Sequence, residues 1–306
     1  MPMRILKGPA RPARLADYDE CPEVLYLHGA LPRGAGVAIV GTRVPSPAAR
    51  DFARKLAADL ARAGVSIWSG GAKGIDTAAH EGALDAGGTT VVVAPAGFNR
   101  PFPEENRALF QRVVDTGGGY LSAEPCDVAA HQSKFFPRNA ILVACAHILV
   151  VVEAGFRSGA RNAAKWARRL QRPLFAVPTT PWNEAGTGCL LELRLGARLL
   201  MDERCVLREL ARIRAHPLAP GRPARGPAQA TLDLSAGGPD AAVGSLSPRE
   251  RVVSALEAGA SHADAIVQET GLTAAQVQEA VLTLTLDGVL APDPAGGLKI
   301  VSRQYR

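Results

Sequence analysis

Unbroken apolar runs alternate with helical patterns over most of the chain. Val37–Val40 is such a run and ends in Gly41-Thr42-Arg43. Ser46-Pro47 then supplies a helix N-cap and an N1 proline, Phe52, Leu56 and Leu60 recur every fourth residue, and Gly64 stands at the C′ position. Val65–Trp68 reads as the next strand, and a second glycine turn, Ser69–Asp76, leads into a helix carrying Ala78, Ala79 and Leu84. Thr89–Ala94, Ile148–Val152 and Leu174–Val177 read as further strands, with Ala160–Leu170 as a helix. Strands that are apolar throughout, separated by helices, predict a parallel sheet covered on both faces. Ligands of such sheets bind beyond the C-terminal strand ends, where these glycine turns fall.

Residues 245–306 follow another rhythm. Ser247-Pro248-Arg249-Glu250 and Thr273-Ala274-Ala275-Gln276 are capping boxes, Ser261–Thr270 is a short helix ended by Gly271, and Val277, Val281 and Leu284 line one face of a third helix. The β-prone runs that follow, around a Pro/Gly turn, predict a hairpin, so the tail is a winged-helix pattern. Residues 215–244 are rich in Pro, Ala and Gly and read as a flexible linker. The expected organisation is a body over 1–214, a linker over 215–244 and a winged-helix domain over 245–306.

Charge separates these parts. The 306 residues carry +6 overall, but residues 245–306 hold five cations against seven anions, leaving the tail at −2 and everything before it at +8. An anionic partner therefore belongs to the body. Arg supplies 29 of the 35 cations, a bias that a GC-rich genome accounts for. The third tail helix opens with Gln276, Gln278 and Glu279 rather than with the Arg and Lys of a groove-reading helix, and the tail's clustered cations are Lys299, Arg303 and Arg306. The tail is thus expected to be a protein-interaction or regulatory module.

Composition also narrows the chemistry. The five cysteines form no Cys-x-x-Cys pair, which excludes a zinc ribbon and argues against a disulfide framework. Apolar runs such as Ala146–Val152 fall far short of the ~20 residues of a membrane span. The basic N-terminus has no apolar h-region behind it, so no signal peptide is expected. These features point to a cytoplasmic protein with no membrane partner. No G-x-G-x-x-G or G-x-x-x-x-G-K-[ST] motif occurs, so neither a dinucleotide cofactor nor a P-loop nucleotide is expected; no cofactor, metal or catalytic residue is assigned.

Gly41-Thr42-Arg43, between a buried strand and a helix N-terminus, suits a phosphate, and Arg43 adds a forked donor. Three glycines within Ser69-Gly70-Gly71-Ala72-Lys73-Gly74 let the backbone approach a ligand closely, with Lys73 on the same rim. Asp76 is expected to cap the helix that follows. His131–Asn139 interleaves cations with aromatics, the composition of a single-strand-binding surface; of Phe135 and Phe136, one is expected in the core and one exposed.

The segments VAIVGTRVPSP, SGGAKGIDTAAHEGAL, GFNRPFPEEN, LSAEP, FFPRNAILVA, VVVEAGFRSGARNAA and GTGCLLELRLGARLL resemble, in content and order, the DNA-processing protein A (DprA/Smf) family. The resemblance runs from Pro22 to Leu207, and the winged-helix tail fits that family's optional C-terminal domain. It implies an extended Rossmann-like parallel sheet with helices on both faces, plus the small winged-helix domain. It also implies a homodimer that binds single-stranded DNA without sequence preference and loads a RecA-type recombinase in natural transformation. Residues 1–21 precede the resemblance, so the N-terminal helical domain of some members is expected to be absent. Carried over, the resemblance places DNA at Gly41, Thr42 and Arg43, at Ser69, Gly70 and Lys73, at a base-stacking Phe135, at a backbone-contacting loop Arg138-Asn139, and at Ser158-Gly159. The chain reads Arg138-Asn139-Ala140 where the family has Arg-Asn-Arg, leaving Lys134 as a substitute cation or a weaker grip. It also reads Ser158-Gly159-Ala160 for serine-glycine-serine and Phe102-Pro103 for tyrosine-proline.

Two other readings compete. A nucleotide phosphoribohydrolase of the lonely-guy type would need a proline-glycine-glycine-x-glycine-threonine loop, which is missing, although Glu124 and Glu153 lie near strand ends. A transcription regulator using the winged helix fits poorly with an acidic tail.

Overall fold

The structure, a computed structural model, describes residues 3–215, 247–257, 260, 262–286, 289–292 and 297–300. The linker expected over 215–244 lies outside them, apart from Ala215 at the end of a helix.

The body is built on one nine-stranded sheet. Its strands are β1 (Arg4–Lys7), β2 (Val24–Gly29), β3 (Gly36–Val40), β4 (Ser66–Ser69), β5 (Thr90–Ala94), β6 (Gly119–Ser122), β7 (Ile148–Val151), β8 (Leu174–Ala176) and β9 (Arg198–Leu199). They lie in the order β1-β2-β6-β5-β4-β3-β7-β8-β9. From β6 to β9 every neighbouring pair is parallel. β1 and β2 add an antiparallel edge, so the sheet is mostly rather than wholly parallel. The residues before Pro22 thus contribute one strand, β1, to the sheet. β2 alternates half-buried and buried positions, with Leu25 and Leu27 inward, as an antiparallel strand with one covered face does.

Helices cover both faces. α1 (Pro47–Arg62), α2 (Ile75–Asp85) and α3 (Arg107–Asp115) follow β3, β4 and β5; α4 (Phe135–Cys145) precedes β7; α5 (Gly159–Arg169), α6 (Thr187–Arg194) and α7 (Glu203–Ala215) follow β7, β8 and β9. Successive residues of β3 choose opposite faces. Val37 and Ile39 pack with Leu56 and Leu60 of α1 and Ala79 of α2. Ala38 and Val40 pack with Leu142 of α4 and Ala163 of α5. Local signals hold at α1: the amide of Ala49 donates to the Ser46 hydroxyl at 3.2 Å, and Gly64 has φ +76°.

The sheet order sets where a ligand binds. From β3 the chain steps outward through β4, β5 and β6, then returns to the other flank of β3 with β7 and continues to β8 and β9. The order therefore reverses between β3 and β7, and the crevice beyond their C-terminal ends is the switch point at which open α/β sheets take ligands.

The tail unit consists of α8 (Pro248–Glu257), α9 (Ala263–Thr270), α10 (Ala274–Leu286) and the antiparallel pair β10 (Leu290–Pro292) and β11 (Leu298–Ile300). Its core holds Val252, Ile266, Val277, Leu284 and Leu290. Both capping boxes close: the Ser247 amide donates to Glu250 Oε2 at 2.7 Å and the Thr273 amide to Gln276 Oε1 at 2.9 Å. Gly271 ends α9 in the left-handed conformation. Of the clustered tail cations, Arg303, Arg306 and the Lys299 side chain lie outside what the structure describes. Among the described residues, no helix is long and apolar enough to cross a membrane.

Candidate nucleic-acid interface

A cleft of about 820 Å³ opens beyond the ends of β3 and β7. Its base is the strand-to-helix turn at Gly41. A Cβ there would come within 2.5 Å of Ile75 Cγ1 and 2.9 Å of the Glu153 carbonyl, so only glycine fits between the two strand ends and α2. The Thr42 amide donates to the Glu153 carbonyl at 2.7 Å, which joins the turn to the end of β7. Glu153 is buried, and its carboxylate accepts from the Ser46 amide at 2.8 Å and the Ser46 hydroxyl at 3.0 Å. It is therefore committed to the start of α1 and not poised as an acid.

The cleft wall combines a ring with a cation. Phe135, the first residue of α4, is half-buried and meets Phe102 in a T-shaped pair with centroids 5.4 Å apart. The Arg43 guanidinium stands over the Phe135 ring at 5.4 Å from its centroid, worth about 0.5–1 kcal/mol at an exposed site. Arg43 is exposed, and no carboxylate among the described residues pairs with it. The expectation of one core and one exposed phenylalanine needs correction: Phe136 is 60% exposed, while Phe135 forms the cleft wall instead of joining the core. Opposite, the N-terminus of α5 presents Ser158 and Gly159, the Ser158 hydroxyl accepting from the Ala160 amide at 3.2 Å.

Arg157 completes the wall. It is exposed, lines the cleft and has no ion pair among the described residues. Residue spacing gave no reason to single it out; its place beside the Ser158-Gly159 element was the available signal.

Several residues expected at the contact also carry structural hydrogen bonds, and of these Gly70, Arg138 and Asn139 line the cleft. Arg138 and Asn139 lie in α4, not in a loop, and both are buried. Arg138 donates to the carbonyls of Gly70 and Val93, the latter at 2.8 Å, and to Asn139 Oδ1 at 3.2 Å. Asn139 donates to the Gly159 carbonyl and to Asn162 Oδ1, both at 3.2 Å. Gly70 is needed because a Cβ would lie 2.8 Å from both the Arg138 guanidinium and Asp76 Oδ2. Ser69 is fully buried and donates to the Ile39 carbonyl at 2.6 Å, so it cannot reach a ligand. Asp76 is not the N-cap of α2, a place Gly74 takes. It sits in the first turn and accepts from the Ala72 amide at 3.2 Å. Burial pushes its carboxyl above the ordinary value, opposed by the nearby Arg138 charge and by backbone hydrogen bonds from Ala72 and Gly70.

Two expected cations are engaged elsewhere. Lys73 pairs with Glu105 at 2.6 Å and Lys134 with Glu124 at 2.7 Å, and neither lines the cleft. Among the described residues, the cleft cations without a carboxylate or backbone partner are Arg43 and Arg157.

A profile of the family described as DNA recombination-mediator protein A matches residues 3–211, and one of the DprA winged-helix domain matches 238–296. The chain is 38% identical over 285 residues to a putative DNA processing protein DprA of Mycobacterium tuberculosis, covering 90% of this chain and 68% of that one. It is 28% identical to protein Smf of Escherichia coli, covering 94% and 75%. Among solved structures, DprA of Streptococcus pneumoniae superposes with a TM-score of 0.62 at 29% identity, covering 68% of this chain and 74% of that one. DprA of Helicobacter pylori, whose structure was described for its single-stranded DNA binding mode, gives 0.62 at 29%, covering 69% and 96%. From the glycine turns to the winged-helix tail, this chain belongs to the DNA recombination-mediator protein A family.

Proposed function

We propose that this protein binds single-stranded DNA in the cleft between β3 and β7 and passes it to a RecA-type recombinase during natural transformation, acting as a cytoplasmic homodimer and not as an enzyme. The observation that carries the reading is the Arg43 guanidinium, with no ion pair among the described residues, over the Phe135 ring at the sheet's switch point. Ring and guanidinium together form the element that single-strand binders use, one taking a base face and the other a phosphate. A base that stacks on Phe135 takes the place Arg43 occupies and frees the guanidinium for the adjoining phosphate. The +8 charge of residues 1–244 favours the same ligand. The single-stranded DNA binding described for the Helicobacter pylori protein supports the choice of ligand. A hydrolytic role is disfavoured by Glu153, whose carboxylate is occupied at Ser46. Incubation with nucleoside monophosphates is expected to release no free base.

The test is a titration of fluorescent single-stranded oligonucleotides over a range of salt concentrations. With phosphate contacts at Arg43 and Arg157, log K is expected to fall against log salt with a slope of about −1.4, from about −0.7 per contact. An affinity indifferent to salt would refute the cleft as a phosphate site.

Phe135→Ala is expected to weaken single-strand binding by about 1–3 kcal/mol, the range for one lost base stack. Its ring is half-buried at the cleft wall, so thermal unfolding should shift only slightly. A large drop in melting temperature with unchanged affinity would assign Phe135 to packing and the stacking role to another ring.

A further inference from the structure

We propose that the single-strand path continues out of the cleft along the outer face of α5, where a second, shallower groove takes further nucleotides. This rests on the proposed cleft function and extends it. The groove, about 470 Å³, shares Phe136, Arg157, Ser158 and Gly159 with the cleft, so the two form one continuous surface.

Three observations identify the occupant. First, Phe136 is 60% and Phe156 56% exposed, and both line this groove. Two large rings left in water at one place mark a binding surface rather than a solvated face. Second, the groove is basic. Arg161, Lys165 and Arg168 repeat at the spacing of one helix face, and Arg157 stands at the groove's junction with the cleft. Third, the charges are divided between fixed and free. The fully buried Glu192 holds both Arg161, at 2.9 Å, and Arg168. Arg161 also donates to the Phe156 carbonyl at 2.8 Å and lies 5.5 Å from the Phe156 ring centroid, which fixes that ring's position. Arg157 and Lys165 have no carboxylate partner among the described residues and are available to phosphates.

Rings that offer a π-face to any base, interleaved with free cations, suit a nucleic-acid strand without sequence preference. α5 has 11 residues. At about 1.5 Å each it is about 16 Å long, the length of four to five nucleotides stacked at about 3.4 Å.

The experiment compares the wild-type chain with Phe156→Ala/Lys165→Glu on oligothymidylates of two lengths: about four nucleotides, filling the cleft alone, and about ten, reaching along α5, both within single-strand site sizes. Fluorescence anisotropy is expected to show short-oligomer affinity within about twofold of wild type and long-oligomer affinity reduced about tenfold, a loss worth about 1.4 kcal/mol. Lys165→Glu alone, at an exposed position with no ion-pair partner among the described residues, should show the same length-selective loss in smaller measure and guards against a folding defect in the double variant. Equal affinity of wild type and variants for the long oligomer overturns the extension while leaving the cleft intact, and so does an equal loss at both lengths. Failure of the wild-type chain to bind either length would sink the cleft reading itself. Loss of binding to an acidic polyglutamate peptide, with long-oligomer affinity unchanged, would make the groove a protein-docking face and also overturn the proposal.

Discussion

Arg138→Ala is expected to cost about 3–5 kcal/mol of folding stability, the range for breaking a buried charged interaction from one side. The residue is 7% exposed, and its guanidinium ties α4 to two strand ends through the carbonyls of Gly70 and Val93. Truncation leaves those carbonyls without their donor and removes the cation that opposes the desolvation of Asp76. The loss carries a pH signature. Burial already raises the Asp76 carboxyl above its ordinary value, and removal of Arg138 raises it further. A group whose folded-state pKa is raised contributes stability below its unfolded value that is lost as pH climbs through the folded one. The gap between variant and wild type should therefore be widest near neutral pH and narrow as pH falls toward the ordinary carboxylate range, where Asp76 is protonated in both. Urea unfolding at several pH values measures this. A variant of native stability that merely binds DNA less well would return Arg138 to the DNA-contacting role implied by the family resemblance.

What the sequence revealed and what it hid divide by range of interaction. The cap at Ser46, the terminal Gly64 and the boxes at Ser247 and Thr273 act within a few residues, so their partners are visible in the string itself. Apolar periodicity gave the parallel strands for the same reason. The antiparallel edge was missed because only one face of β2 is covered, so its apolar residues alternate with half-buried ones instead of forming an unbroken run. At the site, residue type pointed to the right segments but not to the state of each charge. Arg138 looked like a free cation because its partners, Gly70 and Val93, are 68 and 45 residues away. Lys73 looked available because Glu105, which pairs with it, is 32 residues further on. Arg43 and Phe135 lie far apart in sequence and meet only because α4 starts beside the turn after β3. Arg157 escaped notice for the opposite reason: it lies inside the quoted VVVEAGFRSGARNAA segment, but what sets it apart, having no ion pair among the described residues at the cleft wall, is visible only in the fold.

Arg43→Ala is expected to be the most damaging exposed substitution for DNA binding. The guanidinium projects from the turn beyond β3, over Phe135 and beside the N-terminus of α1, with no carboxylate among the described residues to compete for it. A charge-assisted hydrogen bond to phosphate is worth about 1.5–3 kcal/mol. Its loss should weaken single-strand affinity about tenfold to a hundredfold, at about 1.4 kcal/mol per tenfold. Melting should barely change, because the side chain is exposed and, among the described residues, its partner is the half-buried Phe135 ring. Arg43→Lys keeps the charge but loses the planar fork that grips phosphate through two donors, so it should recover only part of the affinity. Arg208, also exposed but on α7 and outside the cleft, supplies the comparison: Arg208→Ala removes the same formal charge and should leave binding within about twofold, as expected of a solvent-screened charge that does not line the cleft. The salt dependence separates the two again. Loss of one phosphate contact should flatten the slope of log K against log salt by about 0.7 for Arg43→Ala and leave it unaltered for Arg208→Ala. Matching losses in affinity and slope from both variants would reduce the cleft to diffuse positive charge and remove Arg43 from its assigned role.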